Sequence, residues 1–131
     1  MNRSFKLAEI ASKYFENVVI SHATKWTNQE YLQALNDYEF VVSVDTSAIH
    51  IREGLGLPAL GLYGAFSVES RAKYYQFTKC IDVKNDCLFS PCFTHNEKPC
   101  TENKGGYAPC LSNYPYINEE LEKYLKEINL I

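Results

Sequence analysis

The chain of 131 residues lacks most of the features that assign a function at sight. It has no dominant charge: the formal net charge is −3, so no basic field is present to track a phosphate backbone, and nucleic acid is not an expected partner. It has no apolar run approaching the ~20 residues of a membrane helix, and no membrane span is expected. It has no Gly-x-Gly-x-x-Gly, no P-loop and no Gly-x-Ser-x-Gly elbow, which removes the usual sequence signatures of dinucleotide, triphosphate and serine-hydrolase chemistry. Repeats, low-complexity stretches and linkers are absent too, so residues 1–131 read as one domain. The opening, "MNRSFKLAEIASKYF", is amphipathic and has no signal-peptide h-region, so it reads as part of the fold and a cytoplasmic location is the default expectation.

What is present is a globular composition, 46% hydrophobic and 22% charged, and an alternation of helix and strand patterns. Ser4 is placed to cap a first helix with Leu7, Ile10, Ala11, Tyr14 and Phe15 on one face. "VVISH" (18–22) reads as a buried strand. Thr27 and Glu30 form a capping-box pattern that opens a helix to about Tyr38. "FVVSVD" (40–45) is a strand, "TSAIHIREGLG" (46–56) a short helix stopped by Pro58, "PALGLYG" (58–64) a strand, and "TKCIDV" (78–83) a plausible fourth. Gly61 inside a strand suggests close approach by another backbone or a ligand. Asn118 is placed to cap a last helix, with Glu119 and Glu120 in its first turn and Leu121, Tyr124, Leu125 and Ile128 on one face. The expected fold is α/β: a Rossmann-like domain with a mostly parallel sheet, flanking helices, an irregular Cys-rich loop at 85–115 and a C-terminal helix.

The candidate site is the strand-to-helix corner "VVSVDTSAIHIREGLGLPALGLYG" (41–64). In parallel sheets ligands sit beyond the carboxyl ends of strands. Asp45 would sit at such an end, with Thr46 and Ser47 opening a helix whose first N–H groups lack intrahelical partners. Thr46 and His50 are i and i+4, Ser47 and His50 i and i+3, so all three can share one edge. Hydroxyls, N–H groups and an imidazole suit a diphosphate, and Asp45 can accept from sugar hydroxyls. The competing reading is that Asp45, Thr46 and Ser47 only cap the helix. Arg71 and Lys73 could reach a phosphate from the far side, although a solvated loop face is the plainer account of both. Trp26 and Tyr63 could stack on a base or sugar, with core packing as the alternative, and His22 is a second-rank candidate.

Cys87, Cys92, Cys100 and Cys110 fall within 24 residues, spaced C-x4-C, C-x7-C and C-x9-C. Four thiolates can hold a structural zinc, with His95 able to replace one. The spacing lacks paired C-x2-C knuckles, so disulfides and free thiols stay open as alternatives. Cys80, in a strand, reads as a buried thiol outside this set.

The stretch 41–64 resembles the nucleotide-sugar-binding motif of glycosyltransferase family 9, the heptosyltransferases of lipopolysaccharide synthesis and their relatives. That motif runs from an apolar strand through Asp-[Ser/Thr]-small-x-x-His, a helix, Leu-Gly-x-Pro and a strand to [Phe/Tyr]-Gly. Asp45, Thr46, Ser47, His50, Leu55, Gly56, Pro58, Tyr63 and Gly64 supply it in order. "NQEYLQALNDYEF", "GAFSVESRAKYY" and "CLFSPCF" resemble flanking segments, so the likeness spans roughly residues 17 to 115. It implies the donor-binding half of a two-domain GT-B fold, with a nucleotide sugar (ADP- or another NDP-sugar) as ligand. On that likeness Thr46, Ser47 and His50 contact the donor's diphosphate or sugar and Asp45 holds the sugar or shapes the loop, with Gly64 closing the motif; Arg71 is counted with the donor site on its own placement after Gly64. Ser47 stands where the family often has Gly, and the family often has small apolar residues near Arg52 and Glu53. The family's acceptor domain, with its acidic general base, has no counterpart in these residues. The resemblance therefore implies a transferase part that acts only when completed by a partner chain or by self-association. A non-catalytic interaction protein that kept the half-fold and a Cys-rich metal-binding loop is the alternative from another class.

Overall fold

A computed structural model describes residues 3–20, 25–83, 87–93, 100 and 109–131. The elements in chain order are α1 (Arg3–Ala11), α2 (Asn28–Asp37), β1 (Val41–Val44), α3 (Ser47–Gly54), β2 (Ala59–Tyr63), α4 (Val68–Arg71), β3 (Lys79–Asp82) and α5 (Tyr114–Glu127). The strands form one sheet in the order β1-β2-β3, parallel throughout. This is the expected α/β architecture, with flanking helices and a C-terminal helix. Among the described residues no helix is long and apolar enough to cross a membrane.

The sheet is covered on both faces, which is why β2 is buried at every position. Leu60 and Leu62 of β2 and Ile81 of β3 project to one face, joined by Val83. There they pack with Ile10 of α1 and with Ile117, Leu121 and Leu125 of α5. A ring stack of Phe15 on Phe40, and Phe40 against Tyr124, extends this layer. On the opposite face the spacing is tighter. A Cβ at Gly61 would lie 3.0 Å from the Tyr63 ring, 3.1 Å from Cys80 Sγ and 3.3 Å from Ile49 of α3. The close approach expected at Gly61 is thus made by side chains of its own sheet and of α3.

The helix ends follow local chemistry. Thr27 and Glu30 close the capping box, the Thr27 hydroxyl accepting from Glu30 N and the Glu30 carboxylate from Thr27 N. Gly56 takes φ +69, and the Gly56 and Leu57 N–H groups bond back to Glu53 and Arg52 carbonyls, a left-handed cap that turns α3 into β2.

Four expectations are corrected. Val18–Ile20 pairs with no strand among the described residues; its β-branched run has no neighbour to bond. Ser4 lies within α1, which is already helical at Arg3. The last helix starts at Tyr114, capped by Asn113 instead of Asn118, because Pro115 is tolerated in a first turn. Glu119 and Glu120 consequently stand beyond the first turn, and Asn118 Oδ1 is buried without a partner. Finally, the segment read as a loop after Tyr63-Gly64 contains the one-turn helix α4.

Candidate functional site

All three strands run the same way, so β1, β2 and β3 end at one sheet edge. Asp45 follows β1 there, Gly64–Phe66 follow β2, and Asp82 closes β3. Asp82 Oδ1 accepts from Val68 N at 2.9 Å, and the Ser67 hydroxyl caps the same turn. An anion at a helix N-terminus is favoured by the peptide dipoles, so these two contacts seat α4 and with it Arg71.

Asp45 does not cap α3. Its Oδ1 lies 3.4 Å from His50 Nε2 and its Oδ2 3.7 Å from Arg71 Nε. Thr46 is the N-cap residue, but its hydroxyl makes no capping bond and lies 3.0 Å from Ser43 Oγ. Ser47, the first helical residue, lies 3.1 Å from the Tyr31 hydroxyl of α2. The simple capping account therefore fails for these side chains: each points along the sheet edge to another polar group.

His50 is held from both sides. Its Nδ1 meets the Tyr75 hydroxyl, and the two rings are edge-on at 79°. Burial, then the fields of Cys80, Glu53 and Asp45, push the Tyr75 phenol up, so it keeps its proton; with the acceptor Asp45 facing Nε2, the phenol is placed to donate to Nδ1. The imidazole hydrogen then belongs on Nε2, facing Asp45. Tyr75 escaped the sequence reading because a tyrosine 25 positions from His50, one of ten, carries no local signal.

Arg71 has a specific seat. Asp45 faces its Nε, and its guanidinium carbon lies 4.0 Å over the Phe66 ring. Its two terminal nitrogens have no hydrogen-bond partner among the described residues. The guanidinium is thus oriented at one end and open at the other, a fork for a phosphate or carboxylate. Lys73 stands apart from it, paired with Glu69 at 2.9 Å.

Other candidates are placed differently. A Cβ at Gly64 would lie 2.7 Å from Cys110 Sγ, and the Gly64 carbonyl accepts from Ser90 Oγ at 2.7 Å. The bare face of Gly64 is used by the Cys-rich segment. Tyr63 is core: its hydroxyl is buried beside the Cys80 thiol without a hydrogen-bond partner among the described residues, and that burial pushes the phenol up. Cys92 is exposed, while Cys87, Cys100 and Cys110 are half-buried. Among the described residues no group of three or more His, Cys, Asp or Glu side chains stands in metal-holding geometry, and no disulfide is present. His22 and His95 lie outside the described residues.

Arg52 and Glu53 are structural. Arg52, fully buried, donates to the carbonyls of Leu35, Tyr38, Glu39 and Pro58. Glu53 accepts from the N–H groups of Gln76, Phe77 and Thr78 and from the Thr78 hydroxyl. Burial raises the Glu53 carboxyl, but those donors together outweigh it and hold the group below its ordinary value.

Compared with family models, with curated proteins and with solved structures, the chain matches none.

Proposed function

We propose that the corner at Asp45–His50, completed by Arg71, holds the diphosphate of a nucleotide sugar, and that the chain is the donor-binding part of a glycosyltransferase. The observation that carries this reading is Arg71: a guanidinium aimed by Asp45 and Phe66, with its terminal nitrogens open at the carboxyl edge of a parallel sheet. The likeness of residues 41–64 to the family 9 donor motif points to Asp45, Thr46, Ser47 and His50 at the same edge. On this reading Arg71 takes phosphate oxygens bidentately, and the Thr46 and Ser47 hydroxyls donate to the same group. His50 presents Nε2–H beside them, with Asp45 in reserve as acceptor for a sugar hydroxyl. In the transfer, the bond from the sugar's anomeric carbon to the diphosphate oxygen breaks, and one to the acceptor oxygen forms. These donors stabilise the charge that collects on the departing diphosphate. The acceptor and its base are assigned to a second domain or partner chain.

Calorimetric titration with ADP, UDP, GDP and their sugar conjugates tests the reading. One nucleotide is expected to bind, and Arg71→Ala and His50→Ala are each expected to lose about 1–3 kcal/mol of binding free energy, as when a charged or buried polar contact is removed. A folded chain that binds none of them refutes it.

A further inference from the structure

We propose that the exposed ring of Phe93, held edge-on against Phe66 beside the guanidinium of Arg71, is the stacking surface for the planar base of the nucleotide; this rests on the donor-site reading above. Phe93 is unusual in two ways at once. Its backbone takes φ +56, the left-handed region that a bulky side chain rarely adopts. Its side chain is nevertheless 54% exposed, so core burial does not explain why the conformation is kept. The conformation is instead fixed onto the site: Phe93 N–H donates to Ala65 O at 2.7 Å, and its ring meets Phe66 edge-on with centroids 5.7 Å apart. Phe66 in turn lies under Arg71. Phe66 thus links an oriented cation, stacked over its ring, to an exposed aromatic ring at its edge. An inorganic anion would use only the cation, and an aliphatic or peptide ligand only the rings. A phosphate tethered to a flat ring uses both, and that is the chemistry of a nucleotide. Aromatic faces accept any base, so the platform favours nucleotides as a class.

The experiment is a calorimetric titration of the full chain with ADP, UDP and inorganic pyrophosphate, in the wild type, Phe93→Gly and Phe93→Tyr. Glycine suits the left-handed backbone, so Phe93→Gly is expected to melt at or above the wild-type temperature. It is expected to weaken the better-bound nucleotide on the order of tenfold or more while leaving pyrophosphate within about twofold, and Phe93→Tyr to keep wild-type affinity. If both ligands bind and Phe93→Gly changes neither, or weakens both alike, the platform is overturned and the donor site stands. The same holds if pyrophosphate binds the wild type as tightly as either nucleotide. Unfolding of Phe93→Gly would make Phe93 a packing residue and would also overturn the proposal. If neither pyrophosphate nor nucleotide binds, platform and donor site fall together.

Discussion

Arg52→Met is expected to destabilise the fold by about 2–4 kcal/mol. Arg52 makes five hydrogen bonds to four carbonyls, at 2.6–3.2 Å, with no carboxylate opposite. Two of those carbonyls, of Leu35 and the C-cap residue Tyr38, belong to the end of α2, where the last C=O groups have no intrahelical donor, and that of Glu39 follows just beyond it. Methionine keeps most of the stem and none of the donors. Each stranded carbonyl costs about 1–3 kcal/mol; taking the low end, because a carbonyl tolerates partial satisfaction, four give roughly 4 kcal/mol. Against this stands relief from burying a charge, the effect that pushes the Arg52 pKa down; it offsets up to about 2 kcal/mol and leaves a net loss of about 2–4. The net loss is a large share of the ~5–15 kcal/mol that holds a domain of this size. Urea denaturation at pH 7, followed by tryptophan fluorescence and circular dichroism, measures it. Arg52→Lys should fall between the two, since one ammonium cannot span four carbonyls. A methionine variant within about 1 kcal/mol of wild type, or more stable, would refute the reasoning and class Arg52 as a buried charge the fold merely tolerates.

Two further outcomes follow from the same helix. Glu53 has a folded pKa below its ordinary value of 4.5, so its stabilisation is fully present above that value and is lost as pH falls through the folded one. Glu53→Gln is therefore expected to cost about 1–3 kcal/mol at pH 7, with the gap to wild type closing as pH falls below 4.5; a gap that does not change with pH contradicts this. Nitrogen NMR of the His50 ring is expected to show a predominant Nε2–H tautomer in wild type and a loss of that preference in Tyr75→Phe. Identical ring nitrogen shifts in the two proteins would remove Tyr75 from the site.

Local signals carried well and long-range ones did not. The capping box at Thr27 and Glu30, the three paired strands and the turn at Gly56 depend on neighbours in sequence, and each is where the pattern placed it within a residue or two. Val18–Ile20 has the same β-branched signature as β1 but no partner in register, and pairing is a property of the sheet, not of the segment. The Asp45–Thr46–Ser47–His50 set was legible because its members lie within one turn and a half of helix. Tyr75, Phe66 and Phe93 were not, because each reaches the site through a loop anchored elsewhere.

The two charges at Arg52 and Glu53 explain how an eight-residue helix holds so exposed an edge. A helix that short is marginal by itself and takes its position from what it touches. Arg52 ties α3 to the end of α2 and to Pro58 at the entry to β2. Glu53 gathers the N–H groups of residues 76–78, and the residue just before them is Tyr75. One turn of α3 therefore meets one stretch of chain twice: Glu53 fixes its backbone, and His50, three residues earlier and on the same side, receives its phenol. The imidazole's orientation is thus set by a carboxylate that no ligand needs to touch. If that is how the site is built, Glu53→Gln should disturb the His50 tautomer as well as stability, and Tyr75→Phe should disturb the tautomer alone. The order of those effects separates a positioned histidine from one that happens to lie beside a tyrosine.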